Sequence, residues 1–398
     1  MKSKRILILS ASAGNGHVRA AEALAKAFTI EAQNSGIPAE IRHIDALSKV
    51  SLPMRAVYSR AYIRMVNRAP SVLGWLYNHL DVPYKDEKRR LLVNRVNSLP
   101  LAREIVDFNP DIIVCTHFLP ADIASLLIKR HKIQSQLAVV VTDFDAHGMW
   151  LTRNVDRYYV AMTETKEHLV SLGVPEANVT VSGIPIDPVF VQKKSTNISK
   201  ASLGLSETAP TVLISAGGMG VGPVQELLES IKTWQENHSE ESTYNGNNEI
   251  NIIALCGKNQ ELKEKLEEES KAWKHLNLHA LGYVNNVQDY MALCDVVLGK
   301  PGGLTTCEAL ASGLAFIVFN PIPGQEERNS THLLENGAAI RCNNLPTVGY
   351  KLQKLFSDPE KLAQLKLNAI AMSKPRAAQK IACQLLAGLC NSTIKLSA

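Results

Sequence analysis

The sequence predicts an α/β chain of two doubly wound, Rossmann-like domains, and three observations carry that expectation. Short apolar runs alternate with helical patterns along the whole chain. The alternation breaks once at a polar, aperiodic stretch and then restarts. A length of 398 residues exceeds one compact core but suits two domains of ordinary size. Parallel sheets produce this rhythm, because each strand is buried on both faces and each crossover is a helix.

The elements follow in order. RILILS (5–10) reads as a strand, Gly14 and Gly16 as a turn, and the alanine-rich run from His17 to Phe28 as a helix. DIIVCTH (111–117) precedes the helical ADIASLLIKRH; LAVVVTDF (137–144) is a strand, and DRYYVAM (156–162) leads into the helical TKEHLVSLG. The stretch 191–210 is polar and without period, so residues 1–190 form a first domain and 191–207 a linker. From 208 the pattern restarts: TVLISAGG, a helix through Gln225 to Trp234, a polar loop at 237–249, NIIALCG, DVVLGKPGG before TTCEALASG, and AFIVFN before a turn with Gln325 and Glu326. That second domain runs over 208–373, and the amphipathic segment within 374–398 is expected as a helix packed on one of the domains.

Composition narrows the class. With 45% hydrophobic and 20% charged residues the chain reads as globular, and no apolar run approaches the roughly 18 residues of a membrane span. The start, MKSKRILILSAS, leads into glycines and not into a cleavage site, so a cytoplasmic protein is expected. Seven cysteines without CxxC spacing predict reduced core residues and neither a disulfide framework nor a zinc site.

Two glycine loops at strand ends draw the functional reading. The turn at Gly14 and Gly16 puts free N–H groups and a positive helix end at the C-terminal sheet edge, where something negative or polar belongs. The dinucleotide fingerprint GxGxxG fails on spacing. On the first helical turn His17 is favoured as neutral imidazole, which suits a general base; capping or packing the turn is the alternative. In the second domain Gly217, Gly218, Gly220 and Gly222 let the backbone approach a ligand, and the turn at Gly302 and Gly303 points its donors at a phosphate. Glu308, one to two turns into the following helix, is placed to accept hydrogen bonds from ribose hydroxyls. Gln325 with Glu326 suits a hexose, whose hydroxyls donate and accept; a solvated turn is the alternative.

Between Lys49 and Arg95 ten basic residues face three acidic ones. Arg60, Arg64 and Arg68 recur every four residues, with Tyr58, Tyr62 and Trp75 nearby, which suits docking on anionic lipid; a solvated basic face is the alternative, and no nucleic-acid motif accompanies it.

Together SAGNGHVRAAEAL, VVTDFDAHGMW, LGVPEANVTVSGIPIDPVF, LISAGGMGVGP, GYVNNVQDYMALCDVVLGKPGGLTTCEALASGLAFIV and PGQEERNSTHLLENGAA cover nearly the full chain. In these motifs the sequence resembles the glycosyltransferase family of monogalactosyldiacylglycerol synthase and the processive diacylglycerol glucosyltransferases, and more distantly the peptidoglycan N-acetylglucosaminyltransferase. The resemblance implies a GT-B fold, its two domains facing across a cleft, and inverting transfer from a UDP-sugar without an obligatory metal. It matches His17 to a histidine near the acceptor, and Gly217 and Gly218 to a donor-side loop. Gly302, Gly303, Leu304 and Thr305 match a diphosphate loop, Glu308 a ribose ligand, Gln325, Glu326 and Asn329 the sugar side, and Tyr283 and Val284 a uracil contact. It implies an acceptor-side, membrane-facing segment over 58–78, and a last helix that crosses back onto the first domain. Asn15 stands where the family has a further glycine, and is expected near the acceptor, with a left-handed turn conformation as the alternative. Asp143, Asp145 and His147 follow a strand end and are alternative base or orienting groups. The partners implied are a UDP-sugar, a lipid acceptor and an anionic membrane surface, the protein being peripheral to it. A UDP-sugar 2-epimerase and a non-catalytic UDP-sugar-binding or lipid-binding relative remain as alternatives, and the sequence leaves open which sugar and which alcohol are used.

Overall fold

The computed structural model describes residues 3–56, 65, 69–84, 97–191, 198–215, 223–238 and 249–395. Tyr58, Arg60, Tyr62, Arg64, Arg68, Gly217, Gly218, Gly220 and Gly222 lie outside the described residues.

The first sheet contains β1 (Lys4–Ser10), β2 (Ala39–Asp45), β3 (Ile112–Cys115), β4 (Gln136–Val140), β5 (Arg157–Val160) and β6 (Val179–Val181), in the order β2-β1-β3-β4-β5-β6. The second contains β7 (Thr211–Ser215), β8 (Ile250–Leu255), β9 (Leu276–Leu281), β10 (Val296–Gly299), β11 (Ala315–Phe319) and β12 (Ala339–Cys342), in the order β12-β11-β10-β7-β8-β9. Every ladder is parallel. The central strands are apolar because helices cover both faces: Ile6 to Leu9 and Phe316 to Val318 are wholly buried, whereas the edge strand β2, AEIRHID, is mostly only partly buried.

The described helices of the first domain are α1 (Asn15–Asn34), α2 (Leu52–Ala56), α3 (Pro70–Leu80), α4 (Leu99–Phe108), α5 (Phe118–Lys129) and α6 (Thr163–Ser171). Those of the second are α7 (Val224–Asn237), α8 (Gln260–Glu269), α9 (Val287–Met291), α10 (Gly303–Ala311), α11 (Gln325–Glu335), α12 (Val348–Phe356) and α13 (Pro359–Met372). The last helix, α14 (Ala377–Lys395), buries Ile381, Ala382, Leu385 and Leu386 among Ile6, Ile8, Leu24 and Phe28 of the first domain. A hinge at 373–376 thus returns the chain to the domain where it began.

Two expectations need correction. Gln325 and Glu326 are not on a turn but open α11; Gly324, at φ 90°, makes the bend just before them, and their acidic neighbours suit a helix N-terminus. Not all cysteines are core residues: Cys115, Cys256, Cys294 and Cys342 are buried, whereas Cys383 is exposed on the outer side of α14, its Sγ 3.1 Å from Glu31.

Candidate active site

In doubly wound sheets, ligands gather where neighbouring strands lead their crossovers in opposite directions, beyond the carboxyl ends of the strands. In the first sheet this switch lies between β1 and β3, and in the second between β7 and β10. The loop after β1 leads into α1, whose first turn carries Asn15 and His17, the loop after β3 carries Thr116 and His117, and the loop after β10 runs from Lys300 to Gly302, before Gly303 opens α10.

Two helix N-termini meet there. Neither α1, capped by Gly14, nor α10, capped by Gly302, has a side chain on its first N–H groups. In α10 the first turn closes with the Thr306 N–H on the Gly302 carbonyl, leaving the Gly303, Leu304 and Thr305 N–H groups directed beyond the helix end. A Cβ on Gly16 would lie 3.3 Å from Leu304, and one on Gly303 would overlap the Thr142 carbonyl oxygen. Glycine therefore lets the two domains touch at this point, and the positive ends of two helices fall on one spot.

His17 is fixed by both neighbouring strand ends. Its Nδ1 lies 2.9 Å from the Thr116 carbonyl oxygen and 2.9 Å from Thr142 Oγ1. A carbonyl only accepts, so Nδ1 carries the hydrogen and Nε2 keeps the lone pair. Burial lowers the ring to a pKa of about 4, against the raising effect of the Thr116 hydrogen bond. His17 is thus neutral, as its sequence position suggests, but burial outweighs every other cause. His117 stands edge-on at 4.7 Å and is itself held well below the ordinary histidine value by burial.

Sequence-predicted groups from the two domains pair across the interface. Glu308 is 3% exposed at its side chain and ion-pairs with Arg19 of α1. Burial raises it to about 7 even so. Gln325 Nε2 donates to Asp143, whose carboxyl burial lifts to about 6. Asp145 accepts from Arg328 at 3.3 Å, and Arg328 also meets Asp81 at 2.5 Å, with its guanidinium 5.2 Å from the Tyr77 ring. Burial alone would raise Asp81, but the Gly148 N–H and Arg328 hold it below the ordinary value.

Five further sequence-predicted residues are placed plainly. His147 uses both ring nitrogens, Nε2 donating to the Tyr77 carbonyl at 2.8 Å and Nδ1 accepting from the Met149 N–H at 3.1 Å; it has no lone pair to offer as a base. Asn329, wholly buried, accepts from the Phe144 N–H and donates to the Pro301 carbonyl, both at 3.0 Å, and so ties the loop after β4 to the loop after β10. Glu326 accepts the Ile322 N–H at 2.7 Å, and burial raises its carboxyl. Tyr283, 57% exposed, and Val284 follow β9 at the same edge of the second sheet.

Sequence reasoning missed Arg19, Thr116 and Thr142. The signal for the threonines was available, since each directly follows an apolar strand run on the side of the sheet where His17 sits. Arg19 lies 289 residues from Glu308, and no local pattern pairs them.

Comparison with known proteins follows this geometry. Residues 17–186 match the model of monogalactosyldiacylglycerol (MGDG) synthase, and 211–382 that of the glycosyltransferase family 28 C-terminal domain. A processive diacylglycerol beta-glucosyltransferase of Bacillus pumilus is 32% identical, over 95% of this chain and 94% of that protein. Among solved structures, MurG of Acinetobacter baumannii has a TM-score of 0.58 at 15% identity, covering 96% of this chain and 99% of that one. A UDP-GlcNAc 2-epimerase of Neisseria meningitidis has a TM-score of 0.57 at 14% identity, covering 96% and 99%. These two likenesses concern the fold alone, which is GT-B: two Rossmann-like domains face to face.

Proposed function

This chain belongs to the glycosyltransferase family of the monogalactosyldiacylglycerol synthases and processive diacylglycerol glucosyltransferases, and from that premise we propose that it moves a hexose from a UDP-sugar, with inversion, to the hydroxyl of a diacylglycerol at a membrane surface. The observation that carries the reading is the meeting of two uncapped helix N-termini beside a histidine with a free Nε2. The pyrophosphate of the donor lies on the N–H groups of Gly303, Leu304 and Thr305, where backbone donors and helix dipole favour negative charge. Its ribose hydroxyls reach Glu308 and its uracil the backbone at Tyr283 and Val284. Gln325 and Glu326 meet the sugar. Arg328 is already engaged by Asp81 and Asp145, which favours a neutral hexose over a carboxylate-bearing sugar.

The transfer is a single displacement. The acceptor oxygen forms a bond to the anomeric carbon, the bond from that carbon to the β-phosphate oxygen breaks, and His17 Nε2 takes the hydroxyl proton. Donor charge beside the buried ring raises its proton affinity against the lowering effect of burial, so base strength arrives with substrate. The α1 and α10 N-termini stabilise the departing UDP, a task that calls for no metal. Asp143 orients the sugar-side amide of Gln325.

No helix among the described residues is long and apolar enough to cross a membrane. Val72 and Trp75 are 55% and 65% exposed on one side of α3, with Leu52, Val82 and Leu99 also exposed near the same basic stretch. That combination supports reversible docking on anionic lipid, with the acceptor entering beside α3.

The test is transfer of radiolabel from a panel of UDP-sugars into the organic phase, using vesicles of phosphatidylglycerol containing diacylglycerol. Labelled glycolipid from one donor, lost in His17→Ala, is expected. Conversion of UDP-GlcNAc without any acceptor, and no labelled lipid from any donor, would instead favour epimerase chemistry.

A further inference from the structure

The end of α11 remote from the cleft carries a group of ligating side chains that sugar transfer does not use. Gln325, Arg328, Asn329 and His332 recur at helical spacing, and each meets a residue of the first domain, so α11 lies against that domain along its length. At its last turn His332 and Glu335 approach Glu164, which sits in the first turn of α6. One ligand atom from each of the three lies within 4.8 Å of the others.

The histidine is the telling member. Its side chain is 8% exposed, yet Nδ1 has no hydrogen-bond partner, and Glu164 Oε2 stands 3.5 Å away. A buried ring nitrogen left unpaired costs free energy that a ligand would recover. Beside it stand two carboxylates and the negative end of α11. An imidazole nitrogen among two carboxylate oxygens is a donor set for a divalent transition metal.

We propose that Glu164, His332 and Glu335 form a zinc site joining the two domains. Zinc is four-coordinate, so three side chains leave one position to water, the open arrangement otherwise found in catalytic zinc sites, with bonds of about 2.0 to 2.2 Å. The ligand atoms must draw together to reach that geometry. His332 is held by its surroundings, while Glu164, 71% exposed, and the exposed Glu335 are free to swing inward. Because Glu164 belongs to the first domain and the other two ligands to the second, zinc clamps α6 against α11. The same two helices hold Phe144, the Thr165 hydroxyl donating to its carbonyl and Asn329 accepting its N–H. The clamp therefore braces the segment that carries Asp143, and no step of the transfer runs through the metal. This site stands independently of the proposed reaction.

The test uses the full chain, stripped with EDTA, dialysed, and titrated with zinc chloride by calorimetry, with thermal unfolding followed with and without zinc. One-to-one binding and a higher unfolding midpoint with zinc are expected. Glu164→Gln and Glu335→Gln change exposed positions and keep the fold, which circular dichroism checks; each should weaken zinc binding at least about tenfold and abolish the rise in midpoint. Absence of saturable binding overturns the site. So does wild-type affinity in Glu164→Gln, whatever Glu335→Gln does, because zinc would then be held within one domain or elsewhere.

Discussion

His17 and Glu308 show how burial decides chemistry at single residues. Truncating His17 to alanine removes the proposed proton acceptor and none of the proposed nucleotide contacts, so turnover should fall by about 10²- to 10⁴-fold while the Kd for UDP stays within about twofold. Glycolipid assay and calorimetry with UDP measure the two quantities. Glu308→Gln, losing the proposed charge-assisted bonds to ribose, should weaken UDP binding by about tenfold or more. The same variant tests the raised carboxyl. Unfolded, a glutamate releases its proton near 4.5; folded, Glu308 holds it until about 7. Its contribution thus favours the fold at low pH and is lost as pH rises between those values. His17 has the opposite sign, its contribution present above 6.5 and lost as pH falls toward about 4. Glutamine mimics the protonated glutamate, so Glu308→Gln should gain stability relative to the wild type as pH rises from about 5 to about 8. Thermal unfolding across that range checks it, and a flat difference contradicts the buried, raised carboxyl. Both residues were legible from their strand–glycine–helix setting, but Arg19 was not, because its partner comes from the other domain.

At the scale of elements, the helices that face the cleft depend on glycines. Any side chain at Gly303 would meet the Thr142 carbonyl, a backbone atom that cannot turn aside. Gly303→Ala should therefore separate α10 from the end of β4 and lower turnover well beyond what its mild change in size suggests, with the helix itself retained by circular dichroism. Gly324 sits at φ 90°, and a Cβ there would lie 2.7 Å from the Tyr77 ring. Its replacement by alanine should cost about 1 to 3 kcal/mol in denaturant unfolding, through backbone strain and loss of the α3 contact. The buried central strands and most helices were readable from apolar runs and helical spacing; β2, β6 and β12 were not, being short or carrying charged and polar residues. The start of α11 was not, because PIPGQEERN is rich in turn-forming and polar residues, and only the contact of Gly324 with α3 fixes where the bend ends and the helix begins.

For the whole molecule, the strand orders give each sheet one switch point, beyond the carboxyl ends of strands whose parallel run the repeated strand–helix rhythm of the sequence implies. What the rhythm does not contain is how the halves close. Arg19 on Glu308, Gln325 on Asp143, Arg328 on Asp81 and Asp145, and Asn329 on Phe144 all cross the interface. Several of these groups are ones the donor is expected to use, so UDP-sugar must exchange protein contacts for its own, with Arg19 giving up Glu308 to the ribose. Sequence alone could assign Glu308 to a cleft but could not pair it with Arg19. The most direct test is a crystal structure with UDP. The nucleotide should lie in the second domain, its pyrophosphate on the Gly303–Thr305 N–H groups and its ribose on Glu308, with Arg19 displaced. UDP bound in the first domain, or bound between the domains with the Arg19–Glu308 pair intact, would contradict the account.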